Sequence, residues 1–174
     1  MPTNGQPTFA DLYLQQVLND FQGIKKLGDK AMAQLDDAGI NYKPDPEANS
    51  IAVIVKHMHG NMLSRWTDFL TTDGEKPTRQ RDEEFEGELP GLAELLRLWE
   101  EGWALVLSTL EELTEADVLR TVTIRGEPHS VMQAIQRQVS HYGYHVGQIV
   151  YAAKLIRSSE WNTLSIPKRK PSAQ

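Results

Sequence analysis

The chain has 174 residues, a formal net charge of −6 at pH 7 and no cysteine. This length is typical of one compact domain, and the missing cysteines exclude disulfide scaffolds, thiolate nucleophiles and cysteine-bound metals. The acidic balance argues against a nucleic-acid-binding protein, because affinity for a phosphate backbone depends on basic side chains. No apolar run reaches the ~18 residues of a membrane span, and no secretory signal pattern is visible. We therefore expect a soluble, cytoplasmic protein that binds neither nucleic acid nor a membrane.

Apolar residues that recur every three or four positions predict two amphipathic helices in the first half of the chain. The first helix is predicted over residues 9–38, with Gly39 directly after its C-terminus. The second is predicted to begin behind Asn49 or Ser50, either of which can cap a helix, and to end near Thr71. The same periodicity returns in the second half of the chain.

Two more amphipathic helices are predicted there. Pro90 can open the third helix, which continues to about Leu113. Ser130 and Gln133 form a capping-box pattern, so the fourth helix is predicted over residues 131–158. The chain is thus expected to be built mainly from four long helices.

The connecting segments are predicted from their composition. Residues 72–88 are polar and charged and contain Gly and Pro, which predicts a long surface loop. A β-branched run over residues 119–124, broken by residues 125–128, predicts a small β-hairpin or an extended excursion before the last helix. These elements predict an all-α fold, a four-helix bundle forming one domain over residues 1–160, with a flexible tail over residues 161–174.

Two histidines stand four positions apart on the last predicted helix. His141 and His145 would lie ~5–6 Å apart on one helix face, which is close enough for both imidazoles to bind one ion. Both are placed on the same flank of the apolar stripe, beside the core. An H-x-x-x-H pair also occurs by chance on many helices, so the spacing alone is a weak signal of a metal site.

The second helix offers two further candidates, His57 and His59. They lie ~200° apart around the helix, on opposite edges of the apolar stripe, so they cannot both serve one site. Because a helix bundle gathers ligands from facing helices, either one could complete a three-histidine set with His141 and His145. The alternative is that both are interfacial or exposed histidines with ordinary hydrogen bonds. His129 is expected to be solvated in a turn.

Two blocks of sequence resemble the DinB/YfiT-like superfamily, and more narrowly a small branch of bacterial proteins of unknown function. The first block is residues 50–70 (SIAVIVKHMHGNMLSRWTDFL), followed by the Asp-Gly-Glu-Lys loop. The second is residues 138–151 (QVSHYGYHVGQIVY). The similarity extends over nearly the whole chain, from about Tyr13 to Ile156.

This resemblance implies an up–down–down–up four-helix bundle that often dimerises. It also implies a divalent metal ion, Ni or Zn, held by one histidine of the second helix and the H-x-x-x-H pair of the last. By position these ligands are His57, His141 and His145. His59 has no counterpart in the family pattern, so the resemblance selects His57.

Three neutral imidazoles leave an open coordination position, as in catalytic zinc sites. A metal there can lower the pKa of water from about 15.7 to about 7, polarise a substrate oxygen or bind a thiolate. Tyr142 follows the first histidine of the pair, where a zinc protease has its general-base Glu, so protease activity is not expected. Trp66 and Tyr142 are expected in the core or at a dimer interface.

Four polar residues, Asn61, Arg65, Gln138 and Gln148, are predicted near the faces that carry the histidines. They could orient the ligands or anchor a substrate anion, or they could make ordinary interhelical or surface hydrogen bonds. A basic pocket would favour an acidic cofactor, but only Lys56 and Arg65 stand near the site in sequence.

Several functions follow from the resemblance. Better-studied relatives in the superfamily are transferases and isomerases in which the metal activates a low-molecular-weight thiol such as bacillithiol or mycothiol. We therefore expect a metal-dependent, thiol-dependent transferase that takes a small-molecule substrate and forms a homodimer. The alternatives are a non-catalytic metal-binding or stress-response protein and a metal-dependent hydrolase.

Overall fold

The protein is described by a computed structural model over residues 6–167, and this part of the chain is mostly helical. None of its helices is both long and apolar enough to cross a membrane. Four helices are long and one is short: α1 (Phe9–Met32), α2 (Asp37–Asn41), α3 (Ile51–Trp66), α4 (Leu92–Glu112) and α5 (Val131–Arg157).

The first predicted helix divides into two, so the prediction of one helix over residues 9–38 is wrong at its end. α1 stops at Met32, and the Asp36 carboxylate then accepts a hydrogen bond from the Gly39 N–H at 2.8 Å. This contact caps a new helix, α2. Gly39 therefore lies inside α2 and does not follow a helix end.

The ends of α3 and α4 are set by contacts that lie partly outside each helix. Ser50 caps α3 by accepting a hydrogen bond from the Val53 N–H at 3.3 Å. α3 ends at Trp66, five residues before the predicted end, because the chain leaves the helical conformation in a turn where Asp68 has a φ of 49°. At the start of α4, the Asp37 carboxylate of α2 accepts a hydrogen bond from the Leu92 N–H.

The centre of the core is an aromatic cluster to which each long helix contributes one residue: Phe21, Trp66, Trp103 and Tyr142. Each of these side chains is at most 1% exposed. The Phe21 ring centroid lies 5.7 Å from Trp66, 6.2 Å from Trp103 and 5.9 Å from Tyr142, which is typical of favourable aromatic pairs. Trp66 and Tyr142 are therefore core residues, and the cluster fixes the rotation of α5 beside it.

The predicted β-hairpin is confirmed. β1 (Thr121–Ile124) pairs antiparallel with β2 (Glu127–Ser130), and the two residues of the turn, Arg125 and Gly126, both have positive φ, as two-residue hairpin turns require. The Asp73 carboxylate accepts hydrogen bonds from both turn N–H groups at 2.8 Å. This contact joins the hairpin to the segment after α3.

We expect Asp73→Ala to lower the free energy of unfolding by about 1–3 kcal/mol, because three backbone N–H groups lose a charged acceptor. These hydrogen bonds lower the pKa of Asp73 to about 2. The stabilisation is therefore full above the pKa of the unfolded chain and is lost as the pH falls towards 2. Urea unfolding at pH 7 and pH 3 measures both effects. Asp20→Ala on α1 is the control and should change little, because Asp20 accepts only one solvent-exposed hydrogen bond, from the Gln16 side chain.

The segment predicted as a surface loop over residues 72–88 returns to the helices. It contains a single 3₁₀ turn, Asp82–Glu84, and the Glu84 side chain is buried. The loop prediction is wrong at this point because local composition does not report the tertiary contacts of a single carboxylate.

The segment that follows α5 packs against the core. Trp161 and Leu164 pack against the core cluster, and the Asn162 N–H donates to the Gln34 side chain at 2.8 Å. Residues 168–174, the remainder of the tail predicted to be flexible, lie outside the described residues.

Candidate metal centre

Three histidines from two helices converge beside the aromatic core. His57 comes from α3, and His141 and His145 come from successive turns of α5. One ring nitrogen of each lies within 4.8 Å of the others. Their ring centroids are 4.7–5.3 Å apart. The structure thus brings together the three residues that the sequence singled out.

The Nε2 atom of His57 is left available by the hydrogen bond at its other nitrogen. Nδ1 lies 2.8 Å from the Glu84 Oε2 atom, and because a carboxylate only accepts, Nδ1 carries a proton, so that in the neutral imidazole Nε2 carries the lone pair. The Nε2 atom of His57 lies 3.3 Å from the Nε2 atom of His141. Two nitrogens bound tetrahedrally at about 2.0–2.1 Å from one ion would be about 3.3 Å apart, so this spacing fits a shared ion.

His145 presents a buried acceptor that lacks a donor. Its Nδ1 lies 2.9 Å from the Gln148 Oε1 atom, so Nδ1 is the protonated nitrogen. The Nε2 atom is buried and has no hydrogen-bond partner in the described part of the chain. An unsatisfied buried acceptor costs free energy, and a bound cation would remove that cost.

Burial keeps two of the three histidines neutral. It lowers the pKa of His141 to about 3, with a further contribution from the charge that His145 and His57 would carry. Burial also lowers the pKa of His145 to about 4. Both imidazoles are therefore unprotonated at pH 7, which is the form that binds a metal.

Glu84 is the residue of the site that sequence reasoning missed. Arg79 donates to both of its carboxylate oxygens, at 2.7 and 2.9 Å. Burial alone would raise the pKa of Glu84, but the hydrogen bonds from His57 and Arg79 lower it below the ordinary value. A carboxylate that holds the distal nitrogen of a ligand histidine is typical of metal sites. The one available signal was the neighbouring Phe85, the only aromatic residue in the charged insert, whose ring packs 5.0 Å from that of His57.

The four polar residues that were predicted near the histidines make different contacts. Gln148 hydrogen-bonds His145, as described above. Asn61 accepts a hydrogen bond from the Tyr142 hydroxyl at 3.0 Å. Arg65 donates to the Gly74 carbonyl oxygen and, at 3.0 Å, to Glu75. Asn61, Arg65 and Gln138 all line the cavity beside the histidines.

The other two histidines lie elsewhere. The Nε2 atom of His59 is 3.2 Å from the Glu101 carboxylate on α4, and His59 lines a separate groove. His129 lies within β2 and is half-buried, so the expectation that it is solvated in a turn is wrong. The strand pairing runs up to Ser130, the last residue before α5, and it includes His129, which pairs with Val122.

The triad opens onto a cavity of about 360 Å³ that includes His57 and His141 in its wall. A volume of this order is typical of sites for small molecules. Polar side chains dominate the lining: Asn61, Arg65, Arg79, Arg81, Arg125, Arg137, Gln138, Ser140 and Tyr144. His57 and His141 can therefore be reached by a ligand of small-molecule size.

We expect Gly60→Ala to weaken metal binding by about 10–100-fold, the usual effect of losing a contact that orients a ligand. A Cβ at Gly60 would overlap the Glu84 carboxylate, which is held on its other side by Arg79. Displacing Glu84 releases His57 from its orientation. Titration of each variant with Zn measures the effect.

The control is Gly147→Ala on α5, two residues from His145. A Cβ there meets no atom within 4 Å, so metal affinity should not change, and the helix should gain stability from the better propensity of alanine. Equal affinities for the two variants would contradict the role given to Glu84.

Comparison with known proteins gives a family for the chain but no function. No curated protein matches the sequence. A family model described as "Protein of unknown function (DUF1572)" matches residues 8–170, which is nearly the whole chain and includes all three histidines of the triad. The protein therefore belongs to this family of unknown function.

Proposed function

We propose that the protein binds one divalent metal ion, Ni or Zn, through the Nε2 atoms of His57, His141 and His145. Two observations carry this proposal together: one ring nitrogen of each histidine lies within 4.8 Å of the others, and the Nε2 atom of His145 is buried without a hydrogen-bond partner among the described residues. Imidazole donors suit both metals. The contacts of Glu84 and Gln148 with the distal nitrogens support the same assignment.

We further propose that the protein is a metal-dependent transferase that uses a low-molecular-weight thiol. When bound, the metal supplies a Lewis acid that lowers the pKa of a thiol and so makes it a nucleophile at neutral pH. Glu84 and Gln148 hold two ligand histidines in the tautomer that leaves Nε2 free. The cavity next to His57 and His141 gives a substrate access, and this access supports a catalytic role over a purely storage or structural one.

We also propose a bundle type, an oligomeric state and a cellular location for the protein. The four long helices, with one histidine on α3 and two on α5, support an up–down–down–up bundle of the DinB/YfiT-like type. That relationship would also imply a homodimer in the cytoplasm. Light scattering on the purified protein tests the dimer, for which the expected mass is twice the 19.7 kDa of one chain.

A thiol-conjugation assay tests the transferase. Metal-loaded protein is mixed with an electrophilic fluorogenic reagent and with bacillithiol, mycothiol or glutathione in turn. We expect conjugation with one of these thiols above the uncatalysed rate, its loss after chelation and its loss in His141→Ala. His59→Ala, outside the triad, should keep the activity. If metal-loaded protein gives no rate above the blank with any thiol, the transferase proposal is wrong, and the two alternatives, a non-catalytic metal-binding protein and a metal-dependent hydrolase, stand.

We expect the fold to survive removal of the metal. The aromatic core that joins the four long helices contains none of the three histidines, unlike a zinc finger, in which the metal replaces a core. The far-UV circular dichroism at 25 °C should therefore be unchanged by chelation. The melting temperature should fall, because the ion binds only the folded state. Loss of the helical signal on chelation would contradict this prediction.

A further inference from the structure

The cavity beside the histidines is strongly basic, although the chain as a whole is acidic. Five arginines line it, and they come from four different parts of the chain: Arg65 from α3, Arg79 and Arg81 from the insert, Arg125 from the hairpin turn and Arg137 from α5. The net charge of the chain is −6. Such a concentration of one sign of charge in a concave site attracts ligands of the opposite sign.

The carboxylates that contact these arginines do not balance them. Glu75 accepts from Arg65 and Arg125 at 3.0 Å and lies 3.4 Å from Arg79, and Glu84 accepts from Arg79. Within residues 6–167, neither Arg81 nor Arg137 forms an ion pair with a carboxylate. Two carboxylates thus face five guanidinium groups.

Two residues of the cavity wall, Arg65 and Gln138, also have buried polar atoms without partners in the described part of the chain. Arg65 is 5% exposed, and its Nε–H has no acceptor among the described residues. Gln138 is 4% exposed, and its Oε1 atom likewise lacks a donor there. Buried polar atoms normally have partners, so this wall of the cavity has hydrogen-bonding capacity that the described residues do not use.

We infer that this cavity is an anion subsite that takes a dianionic group, a phosphate or a pair of carboxylates, on a small molecule. The planar guanidinium forks of Arg81 and Arg137 suit paired oxyanion atoms, and His57 and His141 in the same wall place the rest of that molecule at the histidine triad. The identity of this molecule as the substrate rests on the proposed function, but binding of the anion itself does not require the metal.

The test is calorimetric titration of the full-length, chelator-treated protein with inorganic phosphate and with malonate, and with acetate as a monoanion. We expect one phosphate or malonate per chain and much weaker binding of acetate. The double variant Arg81→Gln/Arg137→Gln should weaken binding about 10-fold or more, because charge-assisted hydrogen bonds are lost. Both residues are exposed, so the variant should fold, which circular dichroism checks. Arg97→Gln, on the outer face of α4, removes the same kind of charge and should change nothing.

The outcomes separate this inference from the proposed function. Tighter binding of phosphate identifies a phosphorylated ligand, and tighter binding of malonate identifies a dicarboxylate; either supports the subsite. No binding of either dianion, or equal affinity in wild type and the double variant, overturns it. A protein that binds the dianion but neither Zn nor Ni would overturn only the proposed metal function. A protein that binds Zn or Ni but neither dianion would overturn only the subsite.

Discussion

His141→Ala is expected to weaken binding of Zn or Ni by orders of magnitude. The variant removes one of the three proposed ligands, and even the loss of a residue that only orients a ligand typically costs about 10–100-fold. The His141 side chain is only half-buried and lies outside the aromatic core, so the fold should be retained. Competition titration against a chromogenic chelator measures the affinity, and circular dichroism checks the fold.

His57→Ala and His59→Ala form a matched pair for the same experiment. Both residues lie on α3 two positions apart, but His57 faces the triad and His59 faces Glu101. We expect His57→Ala to lose the metal and His59→Ala to keep it, because a side chain ~200° away cannot reach the site without unwinding the helix. Loss of the metal in His59→Ala with retention in His57→Ala would mean that the wrong histidine has been assigned.

Glu84→Gln is expected to affect both stability and metal binding. Arg79 has a side chain only 4% exposed, and loss of its charged partner should lower the free energy of unfolding by about 3 kcal/mol. This value lies at the lower end of the about 3–5 kcal/mol that loss of one partner of a buried ion pair costs, because Glu75 still contacts Arg79 at 3.4 Å. Metal affinity should fall by about 10–100-fold, since the glutamine amide holds the Nδ1–H of His57 less strongly than a carboxylate does.

Glu83→Gln is the control for this variant. Glu83 precedes Glu84 in the same 3₁₀ turn, but it is exposed, so removing its charge should leave the stability within about 0.5 kcal/mol of the wild type. Urea unfolding and Zn titration are carried out on both variants. If Glu84→Gln behaves like Glu83→Gln in both measurements, the Glu84 carboxylate does not support the site.

Elements specified by local pattern could be predicted from the sequence. The period of the apolar residues indicated the four long helices, and Ser130 with Gln133 fixed the start of α5, where both hydrogen bonds of the capping box are present. The β-branched run before residues 125–128 indicated the hairpin. The three histidines were singled out by helical spacing together with the family resemblance, which decided between His57 and His59.

Features that depend on contacts between distant residues could not be predicted. Asp37 of α2 caps α4, 55 residues further along the chain, and no local pattern in either segment indicates this contact. Glu84 reaches His57 across 27 residues. The basic cavity is the clearest case. Arg65 and Arg137 belong to different helices, and they line one cavity only after these helices have packed together.

Anomalous diffraction from a crystal of the Zn-loaded protein tests whether the three histidines hold one metal ion. We expect one anomalous peak per chain at the triad, with His57, His141 and His145 each contributing Nε2 at about 2.0–2.1 Å. Glu84 and Gln148 should remain hydrogen-bonded to the distal nitrogens. An anomalous peak at another group of side chains, or a triad without a peak at saturating Zn, would contradict a metal site formed by these three histidines.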